Sequence, residues 1–377
     1  MKIALISVFP PYRGGIATHS YILYENLIKQ NHDVMVVNYL KQYPSFLFPG
    51  KNQFDINDLD VKNQSLRLIN TMSPKTWKQT SETIIDYNPD VVIFRFWNPF
   101  FAISLGSIAK YLKKKNFSKP LLSICDNIIP HENFLGSSLL TKFYLKYIDG
   151  FIVQSETVKN ELKSLKKDAK IVKRFHPIYD IYGDRKNKTE SKKQLGIKSK
   201  HVILFFGIIR EYKGLDVLIE SINILKNKLD NFHLLIVGEC YENINKYLSL
   251  INQFELNHLV TFINEYVSEK DISKYFSCSD VVVLPYKTAS QSGVIQIAYN
   301  FNTPVVTTDV GGLSEYIDDG NTGVLVESKN PIQLSEVLYY NLANDYFNQF
   351  SKNIEDYKKK FSWEYFIEGI DEIISEI

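Results

Sequence analysis

The chain has 377 residues, 45% hydrophobic and 23% charged, long enough for two ordinary domains and free of the Pro/Gly-rich tracts of a disordered protein. The net charge of +2 conceals an asymmetry: 24 basic and 15 acidic residues in 1–180 give +9, and 20 basic and 27 acidic residues in the remainder give −7, a two-domain signature. Three scattered cysteines share no metal-ligand spacing and fit a reducing compartment, and no apolar run approaches the roughly 20 residues of a membrane span, so a cytoplasmic protein is expected.

Strand-like runs fall at 2–9, 33–39, 90–96, 120–125, 150–154 and 170–175, mostly apolar on both faces as buried parallel strands are. Amphipathic stretches at 18–29, 74–87, 99–115 and 156–165 lie between several of them, which predicts βαβ units on a parallel sheet. The first strand leads into Pro10-Pro11-Tyr12-Arg13-Gly14-Gly15-Ile16-Ala17 and then a helix. Two glycines before a helix N-terminus let the backbone approach a phosphate or a sugar; the same residues also read as a plain tight turn.

The run at 120–125 ends in Asp126-Asn127-Ile128-Ile129-Pro130-His131-Glu132. Such a loop at a strand's carboxyl end suits hydroxyl binding or proton handling, although a lone histidine there also reads as structural. Two aromatic segments, 43–49 and 94–101, stand in this basic half. Exposed, they would suit a lipid-linked acceptor at a membrane surface; under neighbouring loops they are core. Asp58-Leu59-Asp60 has the form of a metal-binding D-x-D, but it precedes no strand end and is read as a surface coincidence.

Residues 178–200 break the alternation with the polar run Gly183-Asp184-Arg185-Lys186-Asn187-Lys188-Thr189, read as a linker into a short Lys-rich helix. The pattern then restarts, with strands at 201–206, 232–237, 259–263, 280–285 and 304–308. Helices are expected at 215–229, 244–253, 269–277, 293–300 and 331–342, and the tail 363–377 is one more amphipathic helix. The expected architecture is two Rossmann-like domains with parallel sheets facing a cleft: 1–178 joined by 362–377, and 179–361.

In such sheets, ligands bind outside the carboxyl ends of the strands. The first strand of the second half leads to Gly207-Ile208-Ile209-Arg210-Glu211-Tyr212-Lys213-Gly214, where two cations flank a helix start in the manner of a diphosphate clamp. Ser290-Gln291-Ser292-Gly293-Val294 opens another helix whose amides suit phosphate oxygens. Thr307-Thr308-Asp309-Val310-Gly311-Gly312-Leu313-Ser314-Glu315 again pairs glycines with a carboxylate, here one that could grip ribose hydroxyls. No G-x-G-x-x-G fingerprint is present, which argues against a nicotinamide oxidoreductase.

At these residues the chain resembles the retaining glycosyltransferases of family 4, glycosyl transferases group 1, which have the GT-B fold. Gly14-Gly15-Ile16-Ala17 looks like that family's glycine loop, and Phe206-Gly207 with Lys213-Gly214-Leu215 looks like its G-x-x-x-x-x-K-G signature. The run Thr303 to Gly312, then Glu315, Asp319-Gly320, Thr322-Gly323 and Val326, follows the family closely. One bacterial subgroup is similar also at Tyr43-Pro44, Phe48-Pro49-Gly50-Lys51, Asp126-Asn127, Pro130-His131-Glu132 and Ser290-Gln291-Ser292-Gly293.

The resemblance implies a hexosyltransferase-type enzyme using a UDP-, GDP- or ADP-sugar as co-substrate. It implies retention at the anomeric carbon, no required metal or cofactor, and a C-terminal helix crossing back onto the first domain. His131, Arg210 and Lys213 would be catalytic. Gly14, Gly15, Gln291, Ser292, Gly293, Val294, Gly311, Gly312 and Glu315 would bind the donor, and Asp126, Asn127 and Glu132 would lie on the sugar or acceptor side. A glycan or lipid-linked acceptor with peripheral membrane contact is expected, in bacterial cell-surface polysaccharide synthesis, and no nucleic acid. Two departures stand out. Ala289 and Ile297 occupy the places of the family's two carboxylates, and its first cation is displaced from Ile208 to Arg210. A non-catalytic nucleotide-sugar-binding partner and a sugar-nucleotide epimerase are the rival readings.

Overall fold

The computed structural model of the protein describes residues 1–44, 53–54, 64–130 and 135–377. His131 and Glu132, most of the aromatic segment 43–49, and Asp58-Leu59-Asp60 lie outside the described residues. The chain divides into two compact units, Met1–His176 with Trp363–Ile377, and Pro177–Ser362.

The first unit runs β1 (Lys2–Ile6), α1 (Gly15–Lys29), β2 (Asp33–Lys41), β3 (Leu66–Asn70), α2 (Pro74–Tyr87), β4 (Val91–Phe96), α3 (Ala102–Lys114), β5 (Leu121–Cys125), α4 (Ser137–Leu145), β6 (Gly150–Val153), α5 (Glu156–Leu165) and β7 (Lys170–Lys173). Its seven described strands pair in the order β3-β2-β1-β4-β5-β6-β7, all parallel. Ile3 lies beside Val34 on one side and Val91 on the other, so the order reverses between β1 and β4, where an open sheet offers a crevice. Local chemistry sets the helix ends. Ser155 caps α5 by accepting from the Val158 amide, Glu156 adds a favourable first-turn charge, and a proline starts α2.

The second unit runs α6 (Lys188–Gln194), β8 (His201–Phe206), α7 (Leu215–Leu225), β9 (Phe232–Val237), α8 (Asn245–Gln253), β10 (Val260–Ile263), α9 (Glu269–Cys278), β11 (Val281–Leu284), α10 (Gly293–Asn300), β12 (Val305–Thr308), β13 (Gly323–Val326), α11 (Pro331–Ala343) and α12 (Tyr346–Tyr357). Six parallel strands pair in the order β10-β9-β8-β11-β12-β13, with the reversal between β8 and β11. Each sheet has its own apolar core, one built around Phe94, Leu105 and Phe151, the other around Phe205, Leu218 and Ile236.

The last helix, α13 (Trp363–Ser375), packs on β6 and β7 of the first unit. It comes so close that a Cβ on Gly150 would lie 2.6 Å from Ile373 Cγ1, and one on Gly369 would lie 2.7 Å from Arg174 Cγ. Arg174 donates to the Tyr365 carbonyl at 3.0 Å and pairs with Glu372.

Four elements go beyond the sequence expectation. In β3 only Ile69 is buried, and β13 has four residues, so neither offers an alternating apolar pattern. Helix α12 buries only Phe347, Phe350 and Ile354 among polar residues. Helix α4 buries Ser137 and Thr141 along with Tyr144 and Leu145, while Leu139 is exposed. The expected strand 2–9 stops at Ile6.

Candidate functional site

In the second unit, three loops at the carboxyl ends of β8, β11 and β12 press together. Gly214 has φ +67°, and a Cβ there would stand 2.0 Å from the Pro285 carbonyl oxygen, so only glycine lets these two loops touch. The contact is pinned on both sides. The Lys287 amide donates to the Tyr212 carbonyl at 2.6 Å, and the Lys287 ammonium pairs with Asp216 at 2.7 Å. Gly311, at φ +55°, brings the third loop against the second, since a Cβ would fall 1.5 Å from the Ala289 carbonyl oxygen.

This packing fixes the Lys213 backbone and aims its ammonium inward. Nζ lies 5.3 Å from the Tyr286 ring centroid and 3.3 Å from where a Gly207 Cβ would stand; Val294 Cγ2 lies 3.5 Å from the same point. One ammonium, the glycine after β8 and the first turn of α10 therefore share one small volume. Burial lowers the Lys213 ammonium below the ordinary lysine range; Tyr212 opposes the shift and the nearby Arg210 cation adds to it. Arg210 lies over the Tyr241 ring at 5.5 Å. Burial pushes the Tyr286 phenol up to about 12, so it stays protonated, 3.3 Å from the Ser292 hydroxyl.

Helices α7 and α10 both begin without a side-chain cap, at Gly214 and Ser292, so their first-turn amides suit an anion. Gln291 is half-buried beside Ser292, Gly312 is buried, and Glu315 is half-buried on a short 3-10 turn, Ser314–Tyr316. Ala289 and Ile297, where the family has carboxylates, are buried apolar side chains. Gln296, on the same helix as Ile297, is wholly buried.

In the first unit, Gly14 and Gly15 open α1, again without a side-chain cap. Asn38, wholly buried, holds the preceding turn: its Oδ1 accepts from the Phe9 amide at 3.1 Å and its Nδ2 donates to the Phe9 carbonyl at 3.0 Å. Beneath the turn lies a charged network that the sequence reading missed. Arg95 meets Asp126 bidentately, Nε to Oδ2 at 2.6 Å and Nη2 to Oδ1 at 2.5 Å. Its Nη1 lies 2.7 Å from His19 Nδ1. Arginine only donates, so His19 Nδ1 accepts and its Nε2 carries the proton; Gln154 Nε2 stands 3.2 Å from it, so the Gln154 carboxamide must turn its oxygen to the ring to accept that proton. Burial holds the His19 imidazole well below its ordinary value, with Arg95 and His176 adding to the shift, so it is neutral.

The Asp126 carboxylate is thus turned inward and held by Arg95. Asn127 is half-buried, its Nδ2 3.5 Å from the Trp97 carbonyl. The aromatic segment 94–101 resolves as core: Phe94, Phe96 and Phe101 are fully buried and Trp97 nearly so. A signal for the network was present in the sequence, since a single arginine in the otherwise apolar strand β4 demands a buried partner.

Residues 187–361 match the family model Glycosyl transferases group 1. The match lies within the second unit. All the loop residues gathered around Lys213 fall inside it. The whole chain is similar to an uncharacterized glycosyltransferase of Methanocaldococcus jannaschii, 25% identical over 388 residues that cover 100% of this chain and 99% of that protein. Among solved structures it is similar to sucrose-phosphate synthase from Thermosynechococcus elongatus, with TM-score 0.77 and 18% identity over 100% of this chain and 98% of that one. It is similar also to Anabaena HepE in complex with UDP-glucose, with TM-score 0.78 and 15% identity over 100% of both chains. The fold is GT-B: two Rossmann-like domains built on parallel sheets of seven and six described strands. Among the described residues no helix is long and apolar enough to cross a membrane.

Proposed function

We propose that the chain is a retaining, metal-independent glycosyltransferase that moves a hexosyl group from a nucleoside-diphosphate sugar to a glycan or lipid-linked acceptor. Its setting would be cell-surface polysaccharide synthesis at the inner face of a bacterial membrane. The observation that carries the reading is the half-buried Lys213 ammonium, set at the glycine floor of the second unit beside the uncapped start of α10. When the bond from the anomeric carbon to the β-phosphate oxygen breaks, negative charge gathers on the leaving diphosphate. A fixed cation in a partly desolvated site stabilises that charge more in the transition state than in the ground state.

Arg210 supplies a second cation, and the amides of Gly293 and Val294, with Gln291 and Ser292, cradle phosphate oxygens. Gly311 and Gly312 admit the nucleotide closely, and Glu315 takes the ribose. His131 and the Gly14-Gly15 turn are the substrate-binding candidates of the first unit. The acceptor hydroxyl attacks on the face the leaving group departs from, and its proton passes to the leaving phosphate oxygen; this gives retention without a carboxylate nucleophile. That pathway fits the apolar side chains at Ala289 and Ile297. Asp126 acts indirectly, as the anchor of the loop that leads to His131.

Because HepE was solved with UDP-glucose, UDP-sugars are the first donors to test. Membrane contact is supported by Leu135 and Leu139, 102% and 72% exposed, with Lys142 and Lys146 close behind on and after α4. The test is nucleotide release from UDP-, GDP- and ADP-sugars in chelator, with and without a bacterial lipid extract. Release from one donor, stimulated by the extract and less so in Leu139→Glu, supports the reading. Tight donor binding without release under any acceptor would instead support a non-catalytic nucleotide-sugar-binding protein, the alternative that the two missing carboxylates favour.

A further inference from the structure

The second unit also holds a groove of about 600 Å³ between β13, α11 and α12, which shares none of its lining residues with the loops around Lys213. Strand β13 is the free edge of its sheet, the place where an extended peptide could add. That mode is closed here. The outward amides of Leu325 and Glu327 already donate to Asp319 Oδ1 at 2.9 Å and Gln333 Oε1 at 2.7 Å, and the Gly323 carbonyl accepts from Gly320 at 2.8 Å.

An anion is disfavoured as well. The lining includes the carboxylates of Asp319 and Glu336 and neither lysine nor arginine, and the Lys228 ammonium stands 3.9 Å from Glu336. What the groove does offer is an aromatic wall and a polar rim. The Tyr340 and Tyr346 rings lie 5.4 Å apart and tilted by 37°, with Tyr340 57% exposed. Around them the Gln349 carboxamide and Gln333 Nε2 offer donors, and the Glu336 carboxylate and Asp319 Oδ2 offer acceptors.

We propose that this groove is a saccharide-binding subsite for an uncharged glycan chain, separate from the donor site. An exposed aromatic ring covers the apolar C–H face of a pyranose, and carboxamides and carboxylates bond vicinal hydroxyls in pairs. The absence of cations from the lining selects neutral over anionic glycans.

The test is a calorimetric titration of the full chain with maltopentaose, cellopentaose and chitopentaose, alongside polyglutamate as an anionic peptide control and UDP-glucose as a donor control. We expect one neutral oligosaccharide to bind, and Tyr340→Ala to weaken it by about tenfold. Gln349→Ala should weaken it by a smaller factor, and UDP-glucose binding should be unchanged in both variants. Both side chains are exposed, so their truncation spares the fold, and the melting temperature verifies this for each variant. Binding of none of the three oligosaccharides, undiminished binding in Tyr340→Ala, or preference for polyglutamate would overturn the proposal. Binding is read without turnover, so the outcome is independent of the donor reading.

Discussion

The Lys213 ammonium stands 5.3 Å from the centre of the Tyr286 ring, held there because the loops after β8 and β11 meet at Gly214 and Pro285. Its pH behaviour follows. Burial disfavours the charged form, so the ammonium loses its proton at a lower pH than the ordinary lysine value of 10.5. The alkaline limb of kcat/KM for the donor, which reports the free enzyme, should therefore lie below that value. Lys213→Arg should move the limb upward, because a guanidinium does not titrate in this range. An unmoved limb in that variant would assign it to another group.

Gly311 tests the packing of the third loop. With a Cβ falling 1.5 Å from the Ala289 carbonyl oxygen, Gly311→Ala must displace backbone. We expect a loss of roughly 2–4 kcal/mol in denaturant unfolding of this unit and weaker donor binding. A loss of less than about 0.5 kcal/mol, the scale of a neutral surface change, would show that the loops do not meet as described.

The Arg95–Asp126 pair is buried on both sides, at 2% and 4% exposure. Breaking it from one side leaves an uncompensated buried charge, so Arg95→Met or Asp126→Asn should each cost roughly 3–5 kcal/mol. The double variant should recover a large part of that loss, a coupling that chemical denaturation would measure. Additive losses would mean that the two charges are not paired.

His19 carries a pH signature in stability. Its folded value lies well below the ordinary 6.5, so below about pH 6.5 the unfolded chain binds a proton that the folded chain does not. Stability is lost as pH falls through that window, with a slope of up to about 1.4 kcal/mol per pH unit from this one group. His201 and His233, also lowered by burial, contribute in the same direction. His19→Gln should flatten the wild-type slope. An unchanged slope would mean that His19 is protonated when folded.

How much of this was legible in the sequence depended on what each residue's signal measures. The alternation of apolar strands and amphipathic helices carried the two parallel sheets, because strands buried on both faces announce themselves by composition. The edge strands β3 and β13 and the helices α4 and α12 were silent, since each buries too few apolar side chains to create a period. The glycine loops were legible as loops. That Gly214 and Gly311 exist to bring carbonyls of another loop into contact was not, because that is a relation between segments some 70 and 20 residues apart. Asp126 was legible as a polar residue at a strand end, but its partners Arg95 and His19 come from β4 and α1, and only the fold shows that its carboxylate faces inward.

The most direct test of the central claim compares wild type with Lys213→Met in nucleotide release from the preferred nucleotide sugar, in chelator and with acceptor extract. Removing a preorganised cation that stabilises the leaving diphosphate should lower turnover by roughly 100- to 1000-fold. Removing a half-buried, partly desolvated charge should leave the melting temperature at or above that of wild type. Release by Lys213→Met within about threefold of wild type would contradict the account and place the diphosphate elsewhere.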